Sequence, residues 1–179
     1  MIVGFAGRIA SGKSVVSKAV ANHYSVDRVS FGDAVRLEAR RRGLDGSRVA
    51  LQDLGDELIG DGWDVFCSLV IRQADWHGDS MLIVDGLRHL GAVDALRRLA
   101  SPSRLYLVFI DTASDRRKTW LADRGVMELE ALGADRHHNE GEIDAVMHEA
   151  DLVVANDVDL NKVVSRVIQS LDDVGGPTK

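Results

Sequence analysis

Apolar residues in this chain follow two rhythms that alternate from end to end. Four short runs are apolar at nearly every position: Met1 to Ala6, Met81 to Val84, Leu105 to Ile110 and Leu152 to Ala155. Such runs read as strands buried on both faces. A fifth, shorter strand is expected near Arg28 to Ser30. Between these runs the apolar spacing changes to three and four. Val15, Val16, Val20 and Ala21 share one face of a helix from about Gly12 to Asn22. Gly32-Asp33 opens another, to about Arg42, and Ser47 caps one lined by Leu51, Leu54 and Leu58. Trp63, Phe66, Cys67, Val70 and Ala74 mark the next, and Ala92, Leu96 and Leu99 the one after. Thr112 and Asp115 have the spacing of a capping box. Leu160, Val163, Val164, Val167, Ile168 and Leu171 make the cleanest amphipathic helix. Residues 125 to 140 carry weak periodicity and many charges.

Strands that alternate with helices imply an α/β domain: a largely parallel sheet covered on both faces. In such sheets ligands bind beyond the carboxyl ends of the strands. Gly7, Asp85 and Asp111 are all expected at such ends, so they point to one site.

Between the first strand and its helix stands Gly7-Arg8-Ile9-Ala10-Ser11-Gly12-Lys13-Ser14. It fits G-x-x-x-x-G-K-[ST] at every fixed position. Glycines let the backbone wrap closely, so that successive N–H groups point at phosphate oxygens. The helix N-terminus behind them adds partial positive charge. Lys13 then reaches the β and γ phosphates of a bound nucleotide, and the Ser14 hydroxyl ligates magnesium. Such a loop needs a second carboxylate near its metal, and Asp85, after a buried run, is the natural choice.

Composition adds limits. The chain has 179 residues, 45% of them apolar and 28% charged, which suits one globular domain. That domain is expected over residues 1–174, with a flexible tail at 175–179. The net charge of −6 argues against broad nucleic-acid binding but allows a local basic pocket. The single cysteine, Cys67, excludes an intrachain disulfide, and nothing has zinc spacing. No apolar run is long enough to cross a membrane, so a cytoplasmic monomer or homodimer is expected.

Three further segments carry a resemblance. "VSFGDAVRLEARRRG" resembles the acceptor-binding segment of adenylate kinases and related nucleoside monophosphate kinases, matched at Gly32, Asp33 and Arg36. "LIVDGLRHLGAVDAL" is similar to that family's Asp-Gly strand and following arginine, here Asp85, Gly86 and Arg88. "ADLVVANDVDLNKVVSRV" is similar to its closing strand, turn and helix, with Asn156 and Asp157 at the turn. The resemblance implies a three-layer P-loop NTPase fold: a five-stranded parallel sheet flanked by helices, with a small lid at about 125–140. It implies ATP and Mg2+ on residues 7–14 and a small-molecule phosphoryl acceptor held by Asp33, Arg36 and Arg88. Lid arginines would come over the transferring group, with Arg124 and Arg136 preferred to Arg117. Trp120 falls where the family's lid helix places an arginine against adenine, and an indole can stack on a base.

The chain also departs from adenylate kinases. Leu87 stands where they have a proline, and Ser14 follows Lys13 directly, as in dephospho-coenzyme A kinases. "LQDLGDELIGDGWDVFCSLVIRQ" is similar to a segment of phage-type deoxynucleoside monophosphate kinases, which would put Gln52 near an acceptor base. The same stretch also reads as two helices that merely pack. The acceptor is therefore expected to be a nucleoside or deoxynucleoside monophosphate. If it is an alcohol, as for dephospho-coenzyme A kinases, Asp33 is the expected proton acceptor. A regulatory NTPase and a polynucleotide kinase are the remaining alternatives. The former lacks a guanine-reading segment, and the latter lacks interleaved aromatic and basic residues. His137 and His138 read as lid surface rather than metal ligands.

Overall fold

A computed structural model describes residues 1–123, 140–157 and 159–176. In chain order these form β1 (Ile2–Ala6), α1 (Lys13–Tyr24), β2 (Arg28–Ser30), α2 (Phe31–Arg41), α3 (Arg48–Gly60) and α4 (Trp63–Ile71). There follow β3 (Leu82–Leu87), α5 (Leu90–Ala100), β4 (Leu105–Asp111), α6 (Ser114–Asp123), α7 (Glu140–His148), β5 (Leu152–Ala155) and α8 (Leu160–Asp173). The strands make one five-stranded sheet in the order β2-β3-β1-β4-β5. Every pairing is parallel. This is the α/β architecture that the alternating pattern predicts.

The central strand shows why helices are needed on both faces. Successive side chains of a strand point to opposite sides of the sheet. Ile2 and Ala6 of β1 pack into a core with α2, α3, α4, α5 and α7. Val3 and Phe5 pack into a second core with α1 and α8. Full burial of a side chain such as Phe109, Leu96 or Leu171 contributes roughly 1.5–3 kcal/mol, and all three have no exposed surface. Cys67 lies in the first core, where burial pushes its thiol up to about 12. It is therefore a packing residue.

Some boundaries differ from the expectation, each for a local reason. α2 begins at Phe31, because the Ser30 hydroxyl accepts from the Asp33 N–H at 3.0 Å and caps it. α4 ends at Ile71, so Ala74 lies beyond it. β3 runs on to Leu87, which places Asp85 inside the strand rather than at its end. Thr112 uses its hydroxyl elsewhere, donating to the Ser11 carbonyl at 2.8 Å. At the far end, Gly175 (φ 81°) turns the chain so that the Gly176 N–H donates to Leu171 O at 2.8 Å and closes α8. Among the described residues no helix is long and apolar enough to cross a membrane.

Candidate active site

The loop from Gly7 to Gly12 joins β1 to α1 at the carboxyl edge of the sheet. Gly7 (φ 147°) and Gly12 (φ 83°) hold backbone conformations that a side chain would strain, and Ala10 (φ 58°) is left-handed as well. A Cβ on Gly7 would lie 2.6 Å from Ile110 O and 2.7 Å from Ser11 Oγ; one on Gly12 would collide with the Asn156 amide. Close packing therefore demands glycine at both positions.

The loop is strapped from outside. Ser11 O accepts from Thr112 Oγ1 at 2.8 Å and from Asn156 Nδ2 at 2.9 Å. Ile9 O accepts from Arg117 at 3.4 Å, and Arg8 O accepts from Lys13 Nζ at 3.4 Å. The Arg8 guanidinium pairs with Asp144 of α7. Loop carbonyls are thus engaged by the protein, while the first N–H groups of α1 have no intrahelical partner. The buried Ser11 Oγ also lacks a partner among the described residues.

A cavity of about 500 Å³ opens beside the loop. Lys13, Ser14 and Asp85 line it, and so do Asp33, Arg36 and Arg88. The sheet order brings these together, because β3 lies between β1 and β2. Arg36 donates to Asp33 at 2.7 Å, and both side chains are about half exposed. The Ser30 hydroxyl donates to Asp33 at 2.7 Å. That bond and then Arg36 hold the Asp33 carboxyl below its ordinary value. Phe31, Trp63 and Phe66 give the cavity an aromatic side. Phe31 meets Phe66 edge-on at 5.0 Å between centroids, and Trp63 stacks on Phe66 at 6.1 Å.

Asp85 is nearly inaccessible. Its Oδ2 pairs with Arg28, and its Oδ1 has no hydrogen-bond partner among the described residues. A buried, unpartnered carboxylate oxygen in the same cavity as the Ser14 hydroxyl suits a hard cation or its bound water. Among the described residues no group of three His, Cys, Asp or Glu side chains could hold a metal by itself. The residues fit a magnesium ion held jointly with a phosphate ligand.

Trp120 stands on α6, a helix that buries none of its residues. It is therefore not a core tryptophan. Its ring lies 3.5 Å from where a Gly12 Cβ would be, and Arg116 sits 5.8 Å from its centroid. Gln52 is exposed and does not line the cavity, whereas Gly55, Ile59, Trp63 and Phe66 of the same segment do. Arg124, Arg136, His137 and His138 lie outside the described residues, as does the expected lid except for residue 140.

Sequence reasoning missed several members of this site. The sequence puts Asn156 only at a turn, yet its amide reaches the loop. Nothing in the spacing marks Arg28. His89 and Glu142 pair at 2.9 Å, and Glu142 also accepts from the Leu90 N–H at 3.2 Å at the start of α5.

No protein-family model matches the chain. It is 37% identical over 125 residues to a UPF0200 protein of Methanothrix thermoacetophila, a match covering 69% of this chain and 66% of that protein. A UPF0200 protein of Methanosarcina barkeri is 31% identical over 54% of this chain and 52% of its own length. The chain thus spans about two thirds of the first relative and about half of the second. A UPF0200 protein of Pyrococcus horikoshii is 26% identical over 95% of this chain and 99% of its own. Among solved structures, a sugar kinase from Janibacter superposes with a TM-score of 0.61 at 18% identity, covering 96% of this chain and 94% of that one. APS kinase of Mycobacterium tuberculosis, solved with AMPPNP and APS, gives 0.57 at 17% identity and covers 96% of each chain. These likenesses support the P-loop kinase fold at large rather than the nucleoside monophosphate kinase branch. The chain has the fold of P-loop kinases and is similar in sequence to UPF0200 proteins.

Proposed function

We propose that the protein is a kinase that moves the γ-phosphoryl group of ATP, bound with magnesium, to a nucleoside or deoxynucleoside monophosphate. The observation that carries this reading is the shared cavity: Lys13, Ser14 and Asp85 line it together with Asp33, Arg36 and Arg88. The N–H groups of residues 7–14 and Lys13 hold the donor phosphates. Ser14 and Asp85 hold magnesium, which supplies neutralisation of charge on the phosphates. Trp120 stacks on the donor base. Arg36 and Arg88 bind the acceptor phosphate with forked hydrogen bonds and orient it for in-line attack. The aromatic side at Phe31, Trp63 and Phe66 suits a planar base. Arg124 and Arg136 complete the charge around the transferring group. A kinase that draws on ATP would work in the cytoplasm.

A second acceptor chemistry has one observation in its favour. Asp33 lines the cavity and is half exposed, so a hydroxyl could approach it. The Janibacter neighbour is named a sugar kinase, and a sugar presents hydroxyls. The lowered Asp33 pKa weakens it as a base and favours a phosphate acceptor, which is already anionic. A panel of nucleoside monophosphates, deoxynucleoside monophosphates, dephospho-coenzyme A and simple sugars, assayed by ADP release, tests this. Turnover with a monophosphate is expected. Turnover with an alcohol alone would move the assignment to the second chemistry, and acceptor-independent hydrolysis alone would make the protein an NTPase.

A further inference from the structure

Arg28 is a charged residue on the short β2 strand, and nothing above assigns it a role. Its Nε donates to Ser17 Oγ at 2.9 Å. Ser17 Oγ in turn donates to Ser14 O at 3.2 Å. The other arm of the guanidinium pairs with Asp85 Oδ2. One rigid fork therefore ties the first turn of α1, where Ser14 sits, to Asp85 on β3. The Asp85 side chain is only 3% exposed and that of Arg28 22%. Burying a carboxylate so deeply is costly unless a partner offsets it. Pairing one oxygen also fixes the carboxylate's rotation, which leaves Oδ1 as the oxygen without a partner.

We infer that Arg28 is a positioning residue: it clamps Asp85 through Oδ2 and Ser17, and so presents Asp85 Oδ1 to the magnesium of the bound nucleotide. This rests on the donor-site reading above. The planar guanidinium is suited to the task because its donors diverge at fixed angles and can serve Ser17 and Asp85 together. A lysine ammonium keeps the charge but is a point on a flexible stem, so it cannot keep both bonds in that geometry. Partners that orient a metal ligand typically change metal affinity about 10–100-fold when replaced.

The test is calorimetric titration of the full chain with a non-hydrolysable ATP analogue, in EDTA and across a magnesium series. The wild type, Arg28→Lys, Asp85→Asn, the double variant and Ser17→Ala are compared. In EDTA all should bind the analogue alike, which also shows that the loop is folded. The gain in affinity that magnesium brings should shrink about tenfold in Arg28→Lys and at least as far in Asp85→Asn. The double variant should be no worse than Asp85→Asn, because Arg28 acts through Asp85. Ser17→Ala, which keeps the arginine, should move the same way by less, and it carries the test if Arg28→Lys does not fold. A full magnesium gain in Arg28→Lys, or losses that add in the double variant, would overturn the assignment of Arg28 and leave the donor site standing. A wild type whose affinity ignores magnesium would overturn both.

Discussion

The loop over residues 7–14 and the wall made by α2, α3 and α4 border one cavity, but they hold their shape by different means. The loop is fixed through its backbone. Its carbonyls at Ile9 and Ser11 accept from Arg117, Thr112 and Asn156, which come from separate parts of the chain, and Arg8 O accepts from Lys13 within the loop itself. The wall is made of side chains: edge-on and stacked rings at Phe31, Phe66 and Trp63, and a half-exposed ion pair between Asp33 and Arg36. A strapped backbone has one geometry and serves one chemical group. A side-chain wall can be re-cut residue by residue to suit different molecules. Changes in the loop should therefore stop turnover whatever the acceptor, and changes in the wall should alter which acceptor is used.

The largest effect should come from Lys13→Ala. Loss of a charged donor aimed at developing phosphate charge costs on the order of 10²–10³-fold in turnover. The fall should be the same for every acceptor that the wild type uses, with the circular dichroism spectrum unchanged. Near-normal ADP release from a folded variant would remove the loop from the chemistry and end the comparison.

Arg36→Ala and Arg88→Ala should do the reverse. A lost charged hydrogen bond to phosphate costs about 1.5–3 kcal/mol, which is roughly tenfold to a hundredfold in acceptor affinity. Affinity for an ATP analogue should barely move. Separate calorimetric titrations with analogue and acceptor decide it. A variant that loses the analogue but keeps the acceptor assigns that arginine to the donor side.

The same contrast explains what could be read in the sequence. The loop was legible down to single residues, because a backbone cradle needs particular residue types at contiguous positions. The sheet was legible because buried strands and amphipathic helices have different periods. The wall was legible only in part. Asp33 and Arg36, like Arg88 just past β3, came from a resemblance, and Phe31, Trp63 and Phe66 are ordinary helix-face residues until α2 and α4 meet. Arg28 and Asn156 were missed as functional groups because their partners, Asp85 and Ser11, are distant in the chain. No local spacing encodes such a meeting. Thr112 shows the opposite error: a sound local pattern for a helix cap was overridden by a carbonyl acceptor, Ser11 O, across the sheet edge.

Trp120→Ala sharpens the comparison at its donor end. The indole lies beside Gly12 without joining the core, so its removal should leave the fold unchanged. Stacking between aromatic rings contributes about 0.5–1.5 kcal/mol beyond burial, or a roughly twofold to tenfold loss in affinity for the donor analogue. Tryptophan fluorescence should respond to the analogue in the wild type and respond less in the variant. An unchanged donor affinity with weakened acceptor binding would put Trp120 on the other side of the divide.

The smallest expected effect concerns pH, and it tests the wall. The Ser30 hydroxyl, and after it Arg36, hold the Asp33 carboxyl below its ordinary value. Its ionised form therefore adds stability that is fully present above the unfolded value near ~4 and is lost as pH falls through the lower folded value. Between about pH 5 and 8 Asp33 stays ionised, so neither stability nor turnover should bend on its account. With a phosphate acceptor, which is already anionic and needs no base, the kcat/KM profiles of the wild type and Asp33→Asn should run parallel over that range. They should differ in level, since the variant also releases Arg36 from its partner. An alcohol acceptor would behave differently, because Asp33 would then take a proton in the transition state. The resulting inflection would fall below this range, at the lowered Asp33 value, and its presence in the wild type and absence from Asp33→Asn would identify Asp33 as that base. It would move the wall from holding an anion to activating a hydroxyl.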